Sequence, residues 1–200
     1  MGQKTNNHLA RGEYGRHELY INYVCKPIIY FLYLQCMDNS RLPKLCYRMM
    51  FKMNEHGRIN WCSKVQRLLF SNEFGVVWEN QGVGDTKLFM NLFKQRLKDI
   101  NLQTWSDYIG NSSTCAFYSK VKDYICINEN IQKLSYNLRY EFLSIICSNH
   151  KLVLKKGRHE NQPRENRLCK ICNTNEIEDE FNVVLVCPIL ADIRRNILPK

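Results

Sequence analysis

Apolar side chains in this chain return at three- and four-residue intervals in one segment after another, which is the spacing of one face of an α-helix. Leu45, Met49 and Met53 are four apart behind Pro43, a residue suited to a first helical turn, and Gly57 stands where a left-handed C-terminal cap falls. Asn60 is placed to cap a second helix whose stripe is Trp61, Val65, Leu68 and Leu69, with Lys64 and Arg67 elsewhere on its surface and Gly75 closing it. The two-residue spacing of Val76 and Trp78 predicts a short strand, followed by a glycine-rich turn. Asp85 then caps a helix over residues 86–106 with Phe89, Phe93, Leu97 and Ile100 on one face. Leu134, Leu138, Phe142 and Ile145 predict another over residues 130–148, ended by Asn149. Stripes of this kind are read as packing surfaces.

Length and composition narrow the class. Two hundred residues, 44% hydrophobic and 24% charged, can bury a core and form one domain, or one domain with a small appendage. The longest uncharged apolar run, residues 27–37, would rise about 16 Å as a helix, half of a bilayer core, and is read as a buried helix with no membrane role. Residues 1–14 show no secretory signal, so the chain is expected in a reducing compartment, cytoplasmic or nuclear, and the sequon at Asn111 is expected to stay idle. A net charge of +10 points to a polyanionic partner.

Ten cysteines divide into two groups. Cys25, Cys36, Cys46, Cys62, Cys115, Cys126 and Cys147 are scattered, mostly among apolar neighbours, and read as reduced packing residues. Cys169 and Cys172 instead form a Cys-x-x-Cys pair, a spacing that aims two thiolates at one ion, with Cys187 following a short apolar segment. A zinc knuckle needs one more donor, and Asn182, five residues before Cys187, occupies the place a histidine would take. Three arrangements are open: a fourth ligand borrowed from His159; a three-thiolate or Asn182-assisted site; or packing cysteines in a turn held by Phe181, Val184 and Leu185 against a final helix striped with Ile189, Ile193 and Ile197.

Ahead of the cysteines the texture changes. Residues 151–170 hold seven cations, Lys151, Lys155, Lys156, Arg158, Arg164, Arg167 and Lys170, against two acids, with Gly157 and Pro163 interrupting any periodicity. This predicts a linker loop whose side chains can neutralise phosphates of RNA or DNA with little base preference. Aromatic stacking residues are absent from the stretch. The expected organisation is therefore mainly α: an irregular helical domain over 1–150, a basic linker over 151–166, and a small cysteine-containing knuckle-like module over 167–200.

Several blocks are similar, in order and spacing, to one family. GEYGRHELYI (residues 12–21), RLPK (41–44), FGVVWENQGVGD (74–85), FKQRLKD with QTWSDYI (93–109), and RLCKIC, EDEF and VCPILADIR near the end resemble the C-terminal region of LINE-like, non-LTR retrotransposon reverse transcriptases. The resemblance implies a zinc-binding tail, written Cys-x-x-Cys, Glu-Asp-Glu-x-His-Phe, Cys-Pro, in which Cys169, Cys172 and Cys187 match ligand positions and Asn182 and Val183 replace His-Phe. No Asp-Asp pair on an apolar hairpin occurs, and polymerases of that family need such carboxylates for their metal ions, so the chain is expected to be a non-catalytic fragment, not an enzyme by itself. His8, His17, His56, His150 and His159 lack a readable triad partner, Gly82 and Gly84 lack the third glycine of a dinucleotide site, and no small-molecule substrate is indicated. Two functions follow: an accessory module that binds template RNA or target DNA, or a decayed or repurposed helical remnant offering at most a protein-interaction surface.

Overall fold

A computed structural model describes residues 7–172, 174–192 and 195. Among them the protein is mainly helical, with no strands and two isolated antiparallel bridges, Tyr14 with Ile127 and Leu168 with Ile177. The helices are α1 (Asn7–Glu13), α2 (Leu19–Gln35), α3 (Leu42–Glu55), α4 (Trp61–Ser71), α5 (Gly75–Glu79), α6 (Thr86–Asn111), α7 (Tyr118–Val121), α8 (Glu129–Lys133), α9 (Tyr136–Ile146) and α10 (Val153–His159). None of these helices is long and apolar enough to cross a membrane. The chain divides into two compact units, one of His17–Thr104 and one of Met1–Arg16 with Trp105–Lys200. Residues 105–150 thus belong with the cysteine segment, whereas composition placed a boundary at 150.

The unit His17–Thr104 is a bundle of α2, α3, α4, α5 and the first part of α6 around Ile28, Phe31, Cys62, Val65, Leu69 and Phe93, all fully buried. The apolar run of residues 27–37 lies within and just beyond α2, which buries Ile28, Phe31, Leu32 and Leu34 as expected. Asn60 caps α4 through a reciprocal pair: its side chain accepts from the Cys62 backbone N–H at 2.8 Å, and its own N–H donates to Ser63 Oγ at 3.1 Å. Asp85 caps α6 by accepting from Leu88 N at 2.9 Å, and Gly57 ends α3 at φ +78°.

Five sequence expectations differ from the structure. Leu45, Met49 and Met53 form an exposed row on α3, while Lys44 and Tyr47 are its buried positions. The Tyr47 ring wins the core because it packs against Phe31, Phe51 and Trp61. Val76 and Trp78 are not a strand: Val77 and Trp78 are buried as adjacent residues in α5, and Trp78 stacks on Phe31 at 5.6 Å between centroids. α4 closes at Ser71, with Glu73 taking the left-handed backbone; Gly75 opens α5, where a Cβ would lie 2.8 Å from the Phe70 ring. α6 runs on to Asn111, and the helix expected over 130–148 is broken into α8 and α9 at extended Ser135, leaving Leu138 exposed. Arg139 stabilises that break by donating to the carbonyls of Gln132 and Leu134 at 3.3 and 3.2 Å.

In the other unit, a buried carboxylate organises the helices. Glu13, 3% exposed, accepts from Tyr118 Oη at 2.9 Å and Asn128 Nδ2 at 3.0 Å, and faces Lys122 Nζ at 3.6 Å. A paired, hydrogen-bonded charge is the form in which burial of a carboxylate is tolerable. Burial, followed by the charge of Glu13, holds the Tyr118 hydroxyl in its protonated form. Trp105 Nε1 donates to His8 O at 2.8 Å, and Gly12 leaves room for Trp105 and Tyr118.

Candidate metal centre

The segment expected to be a loop over 151–166 contains α10 and a 3-10 turn, Arg164–Asn166. It folds because Leu154 and Gly157 are buried and Arg167 lies across them; a Cβ on Gly157 would sit 2.8 Å from Arg167 Cγ. The Arg167 guanidinium donates to Gln162 O from Nε at 3.0 Å and to Leu154 O from Nη1 at 3.1 Å, so this cation is a structural tie.

Arg167 leads directly into the Cys-x-x-Cys turn. Cys169 N donates to Glu176 O at 2.8 Å and Glu178 N to Arg167 O at 2.9 Å, flanking the Leu168–Ile177 bridge, while Asn175 takes the left-handed position at φ +55°. Glu178, 6% exposed, braces the turn: Oε2 accepts from Lys170 N at 3.0 Å and Oε1 from Val153 N at 3.2 Å, linking the turn to the start of α10. Glu180, 5% exposed, accepts from Ser148 Oγ and His150 Nε2, each at 2.7 Å. Burial pushes the Glu180 carboxyl up, but the bonds from His150 and Ser148 outweigh it and hold the group below its ordinary value.

Asp179 Oδ1 accepts from Asn182 N at 2.8 Å and starts a π-turn over Asn182–Val186, which closes through Cys187 N donating to Asn182 O at 2.7 Å. Pro188 follows and forces Cys187 out of helical geometry, with φ −52° and ψ +119°. The result is a group of three buried sulphurs, Cys169, Cys172 and Cys187, all within 4.8 Å of one another. They could hold a metal ion.

The donor chemistry fits. Four-coordinate zinc holds sulphur at about 2.3 Å, so its thiolates lie roughly 3.8 Å apart, a small contraction from this arrangement. Hydrogen bonds from the Thr174 hydroxyl, 3.1 Å from Sγ, and from its backbone lower the Cys172 thiol to about 7, whereas burial pushes Cys169 up. Burial also raises Cys62 to about 11 and Cys147 to about 12, keeping those thiols neutral. Asn182, 4% exposed, carries a buried side-chain oxygen that finds no hydrogen-bond partner among the described residues. His159 is exposed at the end of α10 and outside the sulphur group. Phe181, Leu185 and Ile189 are exposed, so the turn does not rest on them; Ile193 and Ile197 lie outside the described residues.

The basic side chains have different surroundings. Lys151, Lys156, Arg164 and Lys170 are exposed, and Lys155 donates to Asn149 Oδ1 at 2.9 Å. Arg158 and Arg164 converge with Lys120 on a cleft beside the knuckle, lined also by Ser113, Asp179 and Phe181. There Arg158 donates to Ser113 O at 3.3 Å, Arg164 lies 3.6 Å from Asp179, and Lys120 sits 5.6 Å from the centroid of Phe181. Lys120 was not legible as a site residue, being 31 positions before Lys151 in an unremarkable segment. Glu178, Glu180 and His150 were equally hidden, because nothing in the sequence marks which acids of an acidic turn are buried. Compared with family models, with curated proteins and with solved structures, the chain matches none.

Proposed function

We propose that residues 151–192 form a zinc-stabilised knuckle that grips nucleic-acid phosphate, as a non-catalytic accessory module inside the cell. The observation supporting this reading above all is the convergence of Cys169, Cys172 and Cys187, drawn from both sides of an acidic turn, to within 4.8 Å. Bound there, zinc supplies a cross-link between the Cys-x-x-Cys turn and the segment ending at Cys187, a role in which metal binding is folding free energy. Asn182 Oδ1 is the fourth donor in this reading, a neutral ligand whose buried oxygen has no hydrogen-bond partner among the described residues. Glu178 and Arg167 hold the turn, and Lys120, Arg158 and Arg164 present positive charge beside it. The resemblance to the tail of LINE-like reverse transcriptases supports template RNA or target DNA as the partner.

The experiment is binding of the full chain, purified with zinc, to duplex DNA and structured RNA at two salt concentrations. Affinity should fall steeply with salt, and Arg158→Gln with Arg164→Gln should weaken binding and flatten that dependence by about one unit of log–log slope per lost phosphate contact. Salt-insensitive or undetectable binding refutes the nucleic-acid role. The second reading, a helical remnant without zinc, is favoured by one observation, the neutral Asn182 at the fourth position; metal-free protein whose melting is indifferent to chelator would establish it.

A further inference from the structure

The unit His17–Thr104 contains none of the three clustered cysteines, yet it holds a second concentration of positive charge. Lys44, Arg48 and Lys52 follow one another at four-residue intervals along α3, so each lies about 6 Å further along the helix axis than the last. All three line a groove of about 800 Å³, together with Gln35, Asn39 and Gln81 and the exposed Leu45 and Met49. Glu55 is the one carboxylate in that lining.

Lys44 is the informative residue. It is 8% exposed, and its ammonium donates to Gln35 Oε1 at 3.0 Å and Gln35 O at 3.4 Å and lies 5.6 Å from the centroid of Tyr47, with no salt bridge to a carboxylate among the described residues. Buried charges are ordinarily paired with an opposite charge. Desolvation, followed by the proximity of Arg48, lowers its pKa against a smaller opposing pull from Cys36. Gln35, in the same wall, turns its side chain to Lys44 and to the Tyr47 hydroxyl. Arg48 and Lys52 make no salt bridge among the described residues.

From this charge pattern we infer that the α3 groove is a binding site for a phosphate-bearing ligand with at least two phosphate groups about 6 Å apart, set by the rise between successive cations. Phosphates lie along Lys44, Arg48 and Lys52, where Arg48 can form a two-pronged contact. The parallel apolar row of Leu45 and Met49 covers a planar or apolar part of the ligand, and the amides of Gln35, Asn39 and Gln81 meet its polar edges. A nucleic-acid strand and the two outer groups of a free triphosphate chain share this chemistry. The inference stands on this unit alone and does not depend on the zinc reading.

The test uses the full chain and three labelled probes: a single-stranded oligonucleotide of twelve thymidines, inorganic tripolyphosphate, and a poly-glutamate peptide. Arg48→Gln with Lys52→Gln changes two side chains at the groove, and Lys64→Gln with Arg67→Gln, both exposed on α4 outside it, removes the same charge as a control. The oligonucleotide or tripolyphosphate should bind, and the groove variant should lose roughly tenfold or more in affinity while the control loses less than about threefold. A strand as the source gives binding of the oligonucleotide with a salt slope reduced by about 1.4 in the groove variant; a free polyphosphate gives tripolyphosphate binding alone. Arg158→Gln with Arg164→Gln, tested alongside, separates this groove from the cleft beside the knuckle. Equal losses in groove and control variants, stronger binding of poly-glutamate, or no binding of either phosphate probe overturns the inference. Melting of each variant within about 2 °C of the parent excludes misfolding as the cause.

Discussion

Glu178→Gln is the sharpest perturbation of the knuckle, because it replaces a buried carboxylate by an isosteric amide without opening a cavity. The carboxylate accepts Lys170 N at 3.0 Å on one oxygen and Val153 N at 3.2 Å on the other. An amide can accept only one of these, and its NH₂ group then faces a part-buried N–H. The loss is one hydrogen bond to a charged group, worth about 1.5–3 kcal/mol, plus part of the penalty of an unsatisfied donor, for a total of about 2–4 kcal/mol. For a chain of this size each kcal/mol moves the midpoint by about 2–4 °C, so Tm should fall by about 4–16 °C. Differential scanning calorimetry with and without zinc reads it. Because the same carboxylate braces the turn between Cys169 and Cys172, competition with a chromophoric chelator should show weakened zinc affinity in the variant. A Tm within about 1 °C of the parent, with unchanged metal affinity, would refute the view that Glu178 holds the site together.

Three further outcomes follow from the fold. Gly12→Ala should cost about 1–3 kcal/mol in urea unfolding, since its Cβ would overlap the Tyr118 hydroxyl and lie 2.8 Å from the Trp105 ring, whereas Gly57→Ala meets open space and costs about 1 kcal/mol for its left-handed backbone alone. Asn60→Ala should remove the α4 cap and about 1 kcal/mol, with the loss of helicity read by circular dichroism during unfolding. Glu180 is held below its ordinary value of 4.5, so its contribution is fully present above that pH and disappears as pH falls through the lower folded value; Glu180→Gln should therefore shrink the loss of stability on acidification below 4.5.

Local signals were legible in the sequence, and packing decisions were not. Asn60, Asp85, Gly57 and Pro43 act through neighbours within four residues, so their spacing predicts their role. The face of α3 is ambiguous in the sequence because two interleaved rows satisfy helical spacing; Phe31 and Trp61, 16 and 14 residues away, select Tyr47 and leave Met49 in solvent. α10 was hidden because Lys155, Lys156, Arg158 and Gly157 resemble a solvated linker until Arg167 returns to cover Gly157. In the candidate site the three sulphurs were legible from spacing alone, and their convergence came from the Leu168–Ile177 bridge and the π-turn before Cys187. Asn182 was identified as the residue in the histidine's place, but the lack of a partner for its oxygen is a property only of the folded chain.

Zinc-edge X-ray absorption on the purified full chain measures the ligand shell directly. The account predicts bound zinc with three sulphur scatterers at about 2.3 Å and one lighter donor at about 2.0–2.2 Å, reduced to two sulphurs in Cys187→Ser. Metal-free protein, or zinc surrounded only by nitrogen and oxygen and indifferent to Cys187, would contradict it.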